Sequence, residues 1–196
     1  MNKISEKKYR GQSLMESILA IGLVMSVVIS SIGISIYTTR IGRSSQNRLV
    51  AYNLAREGIE YARNIRDSNW LKKSQRTVLN PGPPVEYYDW DTGLDGCSSV
   101  WCTLDYRLVS SVWTWVKTPL AAGVYINNCA TCELRIDSTY FTYSLTSGTL
   151  SGFSRALKID TSTPNILKVI VKVKWLENNQ AKIITLEEDL TNWRYE

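Results

Sequence analysis

The hydrophobic pattern changes character along the chain. From Ser17 to Thr39 there are 23 consecutive residues without a formal charge (SILAIGLVMSVVISSIGISIYTT), enough to cross a hydrocarbon core of about 30 Å as a helix. From Ile41 to Ile65 the apolar positions Leu49, Tyr52, Ala55, Ile59, Ala62 and Ile65 recur every three or four residues with Arg and Gln between them, the period of an amphipathic helix. Residues 12–66 therefore read as one helix, with a transmembrane part at about 14–39 and a second half that packs on a folded head.

Residues 67–84 read as a linker, because Asn80-Pro81-Gly82-Pro83-Pro84 cannot continue a helix. Past it the period falls to two. Val169, Val171, Val173 and Trp175 alternate with Lys168, Ile170, Lys172 and Lys174, which predicts a half-buried strand. Glu177-Asn178-Asn179-Gln180 supplies a turn, and Ala181 to Leu186 returns as its hairpin partner. Weaker strands are expected around Leu104–Val109, Val124–Ile126, Leu134–Ile136, Tyr140–Tyr143 and Ala156–Ile159. A long N-terminal helix packed on a small antiparallel sheet, with residues 85–196 as a β-rich head, is an α+β arrangement.

Charge adds a direction to this plan. The chain has 196 residues, a net charge of +5 and no His, so imidazole bases, His metal sites and His-dependent nucleophiles are excluded. Lys3, Lys7, Lys8 and Arg10 stand against Glu6 in the first eleven residues, a net +3. Residues 12–70 carry six Arg and no Lys against four acids, and residues 71–196 carry 13 basic and 13 acidic side chains. A nucleic-acid-binding head would hold the basic excess itself. The charge instead precedes the uncharged run, which predicts a cytoplasmic N-terminus and an exported head, an inference that Arg40 and Arg43 beyond the run partly offset.

A cleaved secretory signal has a similar grammar, but its apolar region is about 7 to 15 residues long and ends in an A-x-A-like site. Here the run is longer, no such site follows, and Glu16 stands inside its start. A carboxylate at that depth costs on the order of 3 kcal/mol to insert, which marks it as a group that later finds a partner; the plainer alternative is an acid snorkelling at the membrane edge. Gly22, Ser26, Ser30 and Gly33 fall on one helical stripe, a pattern that lets membrane helices approach closely.

The string Lys7-Lys8-Tyr9-Arg10-Gly11-Gln12-Ser13-Leu14-Met15-Glu16 resembles the cleavage and methylation segment of type IV prepilins and of type II secretion pseudopilins. In that family a short basic leader ends in Gly, the chain is cut after it, and a Glu stands fifth in the mature helix. The resemblance implies that Gly11 ends a leader of residues 1–11, that Gln12 becomes the new N-terminus, and that Glu16 pairs with the N-terminal amine of a neighbouring subunit. Gln12 departs from the family's usual apolar first residue. Residues 54–67 (LAREGIEYARNIRD) also look like segments of minor pilins; a salt-bridged helix face with Arg56 and Glu60 at i,i+4 accounts for them equally. The implied function is a structural subunit of a pilus-like filament, with other pilin subunits, a prepilin peptidase, the inner-membrane assembly machinery and membrane lipid as partners. A secretion pseudopilin and an uncleaved single-pass binding protein are the alternatives.

In the head, six of the seven Trp are expected to be core, since aromatics supply 150 to 250 Å² of burial each. The run Glu187-Glu188-Asp189 is expected to face solvent, because consecutive acids diverge on any regular backbone. Cys97, Cys102, Cys129 and Cys132 are spaced as a zinc site could be, yet four cysteines in an exported domain favour disulfides. Three pairings are open, with the local one, Cys97 to Cys102 and Cys129 to Cys132, slightly ahead of a nested cross-link. A redox role for the Cys129-x-x-Cys132 spacing lacks a helix-starting context. No catalytic constellation converges, so no enzyme activity, cofactor or metal is expected.

Overall fold

A long α-helix, α1, covers Leu14–Leu79 and contributes to both of the units into which the chain divides, residues 1–46 and 47–196. The computed structural model describes residues 14–79, 89–109, 112–137, 142–146 and 148–193. In the first unit every described residue except Ser44 is exposed, including Ile18, Leu19, Val24, Met25, Ile29 and Ile36.

In the second unit, α1 buries Ala51, Leu54, Ala55, Gly58, Ile59, Tyr61 and Ala62. Of the expected stripe, Ala55, Ile59 and Ala62 are buried and Ile65 is half-buried, but Leu49 and Tyr52 at its start remain exposed, at 61% and 41%. Small residues decide the matter. Ala51, Ala55, Gly58 and Ala62 let the helix axis approach the sheet so closely that a Cβ on Gly58 would lie 3.0 Å from both methyl groups of Val171. The helix also outruns its expected end at residue 66, continuing to Leu79. Asn69 and Trp70 are buried, and Asn69 Nδ2 donates to the carbonyls of Trp90 (3.2 Å) and Thr92 (2.9 Å). Helical residues 67–79 thus replace most of the expected linker; residues 80–84 lie outside the described residues.

A short 3-10 helix, Asp95–Cys97, leads into seven strands: β1 (Cys102–Val109), β2 (Val112–Pro119), β3 (Glu133–Asp137), β4 (Thr142–Ser144), β5 (Thr149–Thr163), β6 (Ile166–Glu177) and β7 (Gln180–Thr191). All pairings are antiparallel. β6 shows the expected alternation, with Leu167, Val169, Val171, Val173 and Trp175 buried. Its hairpin with β7 turns on Asn178 and Asn179, both left-handed (φ 49° and 63°), as a two-residue connection requires.

β5 is the strand on which the sheet branches. One edge pairs with β6, which pairs with β7. The other edge is divided: its start pairs with β3, which continues to β4, and Leu157 pairs with Cys102 of β1, which continues to β2. Within the β3 branch the β3–β5 register shifts around Gly152 (φ 77°), and Ser151 bridges the irregularity by donating to Leu134 O (2.6 Å) and accepting from Phe153 N (3.1 Å). Gly148 is obligatory for another reason, since at φ 98° a Cβ would overlap the carbonyl of Ile136.

Two corrections to the expected strands follow. Val124–Ile126 forms turns. There the side chain of Asn128 accepts from Tyr125 N and donates to Gly123 O, so local turn hydrogen bonds override the β-propensity of Val124 and Ile126. β2 is a strand that the sequence pattern did not suggest. Of the expected strand at 140–143, Thr142 and Tyr143 lie in β4 and the rest is outside the described residues.

The main core joins α1, β5, β6 and β7, with Leu94, Leu104, Leu134 and Trp90 closing it. A smaller apolar cluster of Ile126, Cys129, Cys132 and Ala156, flanked by Trp101, Leu120 and Val124, forms where the segment before β3 folds onto β5.

Candidate functional site

The processing residues Gly11 and Gln12 lie outside the described residues. Glu16 is exposed in the first turn of α1, where its charge opposes the positive end of the helix dipole favourably. Beyond it, α1 is long and apolar enough to cross a membrane, and its most apolar stretch is not buried within the protein.

The small-residue stripe is open. A Cβ added at Gly22 or Gly33 would meet nothing within 4 Å. Ser26 Oγ donates to Leu23 O (2.7 Å) and Ser30 Oγ to Ser26 O (2.8 Å); Thr38 and Thr39 likewise donate to carbonyls of the preceding turn. These bonds satisfy the hydroxyl donors inside the helix, so the stripe presents small surfaces without stranding polar hydrogens in an apolar surrounding.

In the head, the strongest polar constellation is one that sequence analysis missed. Arg155, 1% exposed on β5, donates through Nη1 to Glu57 Oε2 (2.8 Å) and Leu54 O (3.3 Å), and through Nη2 to Leu104 O (3.1 Å). One guanidinium therefore ties α1, β5 and β1 together. A signal was present: Arg155 shares the inward phase of Phe153, Leu157 and Ile159, and a cation at a core position of an alternating strand demands a carboxylate. Which carboxylate it takes depends on the docking of α1. Nearby, buried Asp105 accepts through Oδ1 from Ser144 Oγ (3.2 Å) and Leu145 N (3.0 Å). Tyr143 is held above its ordinary pKa by burial and by the charge of Glu57.

A second helix-to-sheet tie corrects the expected solvated acid run. Glu188 accepts from Arg63 Nε (2.8 Å) and Nη2, which raises the arginine's pKa, chiefly through that hydrogen bond. Glu187 and Asp189 are exposed as expected. The ion-pair partner of Glu60 is Arg63 at 2.6 Å, in place of Arg56. Trp70, Trp90 and Trp175 are buried and Trp193 is exposed, its ring set edge-on to that of Trp70.

The cysteines pair locally, Cys97 with Cys102 and Cys129 with Cys132, leaving no free thiol. Their placement explains both bridges. Cys102 pairs with Leu157 where β1 joins β5, and Cys132 O accepts from Arg155 N (3.0 Å) just ahead of β3. The two disulfides thus brace the branches of the sheet on either side of Ala156.

A groove of about 710 Å³ lies between the start of β5 and the β6–β7 hairpin, with Phe153, Trp175, Leu176 and Ile183 forming apolar lining and Glu133 and Lys174 polar lining. No group of three metal-ligating side chains occurs among the described residues. Comparison with protein families, with curated proteins and with solved structures finds no match.

Proposed function

We propose that this chain is a structural subunit of a type IV pilus-like filament, made as a single-pass membrane precursor with a cytoplasmic N-terminus and exported head. A prepilin peptidase cuts it after Gly11, and the inner-membrane assembly machinery moves it into a surface filament with other pilin subunits through its N-terminal helix. The carrying observation is the order of features at the start of the chain: a basic leader ending at Gly11, Glu16 five residues past that point, and an uncharged helical run with an open small-residue stripe. In an assembled bundle Glu16 pairs with the Gln12 amine of a neighbour. Such a pair sets register more than it adds net stability, because desolvation offsets much of its Coulomb attraction. Leu49 and Tyr52, which the head leaves uncovered, add apolar surface for neighbouring subunits. A secretion pseudopilin has the same physics with different partners.

The test is the intact mass of the membrane-extracted protein, for the wild type and for Gly11 replaced by a bulky residue. Wild type lacking residues 1–11 and a full-length variant support the reading; a variant trimmed as efficiently as wild type overturns it. The groove beside Trp175 favours a second reading, an uncleaved membrane-anchored binding protein, for which the wild type would retain its first eleven residues.

A further inference from the structure

Three arginines of the head are ion-paired: Arg63 meets Glu60 and Glu188, Arg66 meets Asp67, and Arg155 meets Glu57. Arg40, Arg43 and Arg48 are exposed on α1 and have no ion pair among the described residues. Sequence makes this unavoidable within the helix: no carboxylate stands between Glu16 and Glu57, so none of the three has an acid three or four residues away.

Their position along α1 identifies a counter-ion. Arg40 follows Thr39, the last residue of the uncharged run, directly. That run spans about 35 Å at 1.5 Å per residue, close to the hydrocarbon thickness of a bilayer. Arg43 lies about 4.5 Å further along the axis, inside a headgroup layer that is roughly 5 to 7 Å deep on each side. Arg48 lies about 12 Å beyond Arg40, past that layer. Arg40 and Arg43 are also neighbours on the helix surface at i,i+3, so two guanidinium forks present themselves together. A guanidinium matches a phosphate through two parallel hydrogen bonds.

We propose that Arg40 and Arg43 form a binding site for the phosphate groups of anionic phospholipids at the exported face of the bilayer. This rests on the membrane span and its orientation in the proposed function and is independent of cleavage and filament assembly. The site sets the depth of the helix.

The full chain is placed in nanodiscs of phosphatidylcholine mixed with phosphatidylglycerol, released into detergent, and its retained lipids counted by native mass spectrometry. Phosphatidylglycerol should be enriched over phosphatidylcholine, by about fivefold less for each of Arg40→Gln and Arg43→Gln. Arg40→Lys/Arg43→Lys should fall between wild type and the double Gln variant. Lys158→Gln and Lys182→Gln in the head should retain lipid as wild type does, and millimolar inorganic phosphate should not displace it. Equal retention of the two lipids by the wild type, an equal loss in the head variants, or displacement by free phosphate overturns the proposal. A Gly11 variant that is still trimmed removes the filament reading and leaves these outcomes unchanged.

Discussion

Arg155 on β5 and Glu57 on α1 form a 2.8 Å ion pair in which the guanidinium is buried and the carboxylate side chain is 35% exposed. The asymmetry matters, because each partner leaves a different residue behind when it is removed. The pair crosses the interface where Ala55, Gly58 and Ala62 already bring helix and sheet together. It serves as a register pin within an apolar contact, and its Nε has no hydrogen-bond partner among the described residues.

The first prediction uses that asymmetry. Glu57→Ala strands a buried cation and should cost about 3 to 5 kcal/mol of head stability. Arg155→Met removes the cation, leaves a carboxylate that water reaches, and should cost about 1 to 3 kcal/mol. Denaturant unfolding of the two variants measures the order, and a cheaper Glu57→Ala would mean that Arg155 is not held by this pair.

Gly58 provides a second. On an isolated helix Gly→Ala gains about 1 kcal/mol. Here the new Cβ would press on the Val171 methyls, so Gly58→Ala should instead destabilise by about 1 to 3 kcal/mol. Adding Val171→Ala should recover part of the loss in the same unfolding measurement, beyond the sum of the single changes. A stabilised Gly58→Ala protein would place the helix further from β6 than described.

The disulfides brace short loops, so each should contribute about 2 kcal/mol in the chain-entropy account. Replacing Cys129 and Cys132 together by Ser should loosen the segment before β3, and limited proteolysis should cut between residues 120 and 132 before the rest of the head. Mass spectrometry without reductant should show four hydrogens missing and no metal. Stoichiometric zinc on four thiols contradicts the pairing.

Tyr61 is 3% exposed, and burial pushes its phenol up from 10.0 to about 12. The unfolded state therefore ionises first as pH rises, and head stability should fall between about pH 10 and pH 12. Tyr61→Phe should remove that part of the slope. Tyrosinate absorbance during an alkaline titration should show fewer phenols ionising near pH 10 in the folded wild type than in the unfolded chain, because Tyr61 and Tyr143 are both held up. Tyr61→Phe should reduce that difference by one phenol, and an unchanged difference would mean that Tyr61 is not shifted.

Glu16→Ala separates assembly from folding. The change lowers the cost of membrane insertion and alters no residue of the head, so precursor levels and head disulfides should be unchanged. Subunit recovered in sheared surface filaments should drop severalfold at matched membrane levels. Equal incorporation would make Glu16 a passive membrane-edge acid.

What local pattern encodes, the sequence by itself determined. The uncharged apolar run from Ser17 to Thr39, the existence of α1, the alternation of β6 and the Asn178-Asn179 hairpin each depend on residues within a turn or a strand of one another, where periodicity and turn chemistry act directly. The period also placed Ala55, Ile59, Ala62 and Ile65 on the buried side of α1, but tertiary structure alone decided where that stripe begins. Leu49 and Tyr52 obey the helical period as well as Ala55 does, yet they lie where the head leaves the helix uncovered, while Ala51, Leu54 and Gly58 are buried beside Ala55. It likewise chose Glu57 over Glu60 for Arg155, a contact across 98 residues, and turned Glu188 from an exposed acid into the partner of Arg63. Local spacing only slightly favoured the cysteine pairing over a nested cross-link, and the docking of β1 and of the segment before β3 onto β5 at adjacent sites fixed it. The physical reason is common to all of these: a non-local contact forms only where several elements are already docked, and its energy depends on burial and geometry that no window of sequence contains.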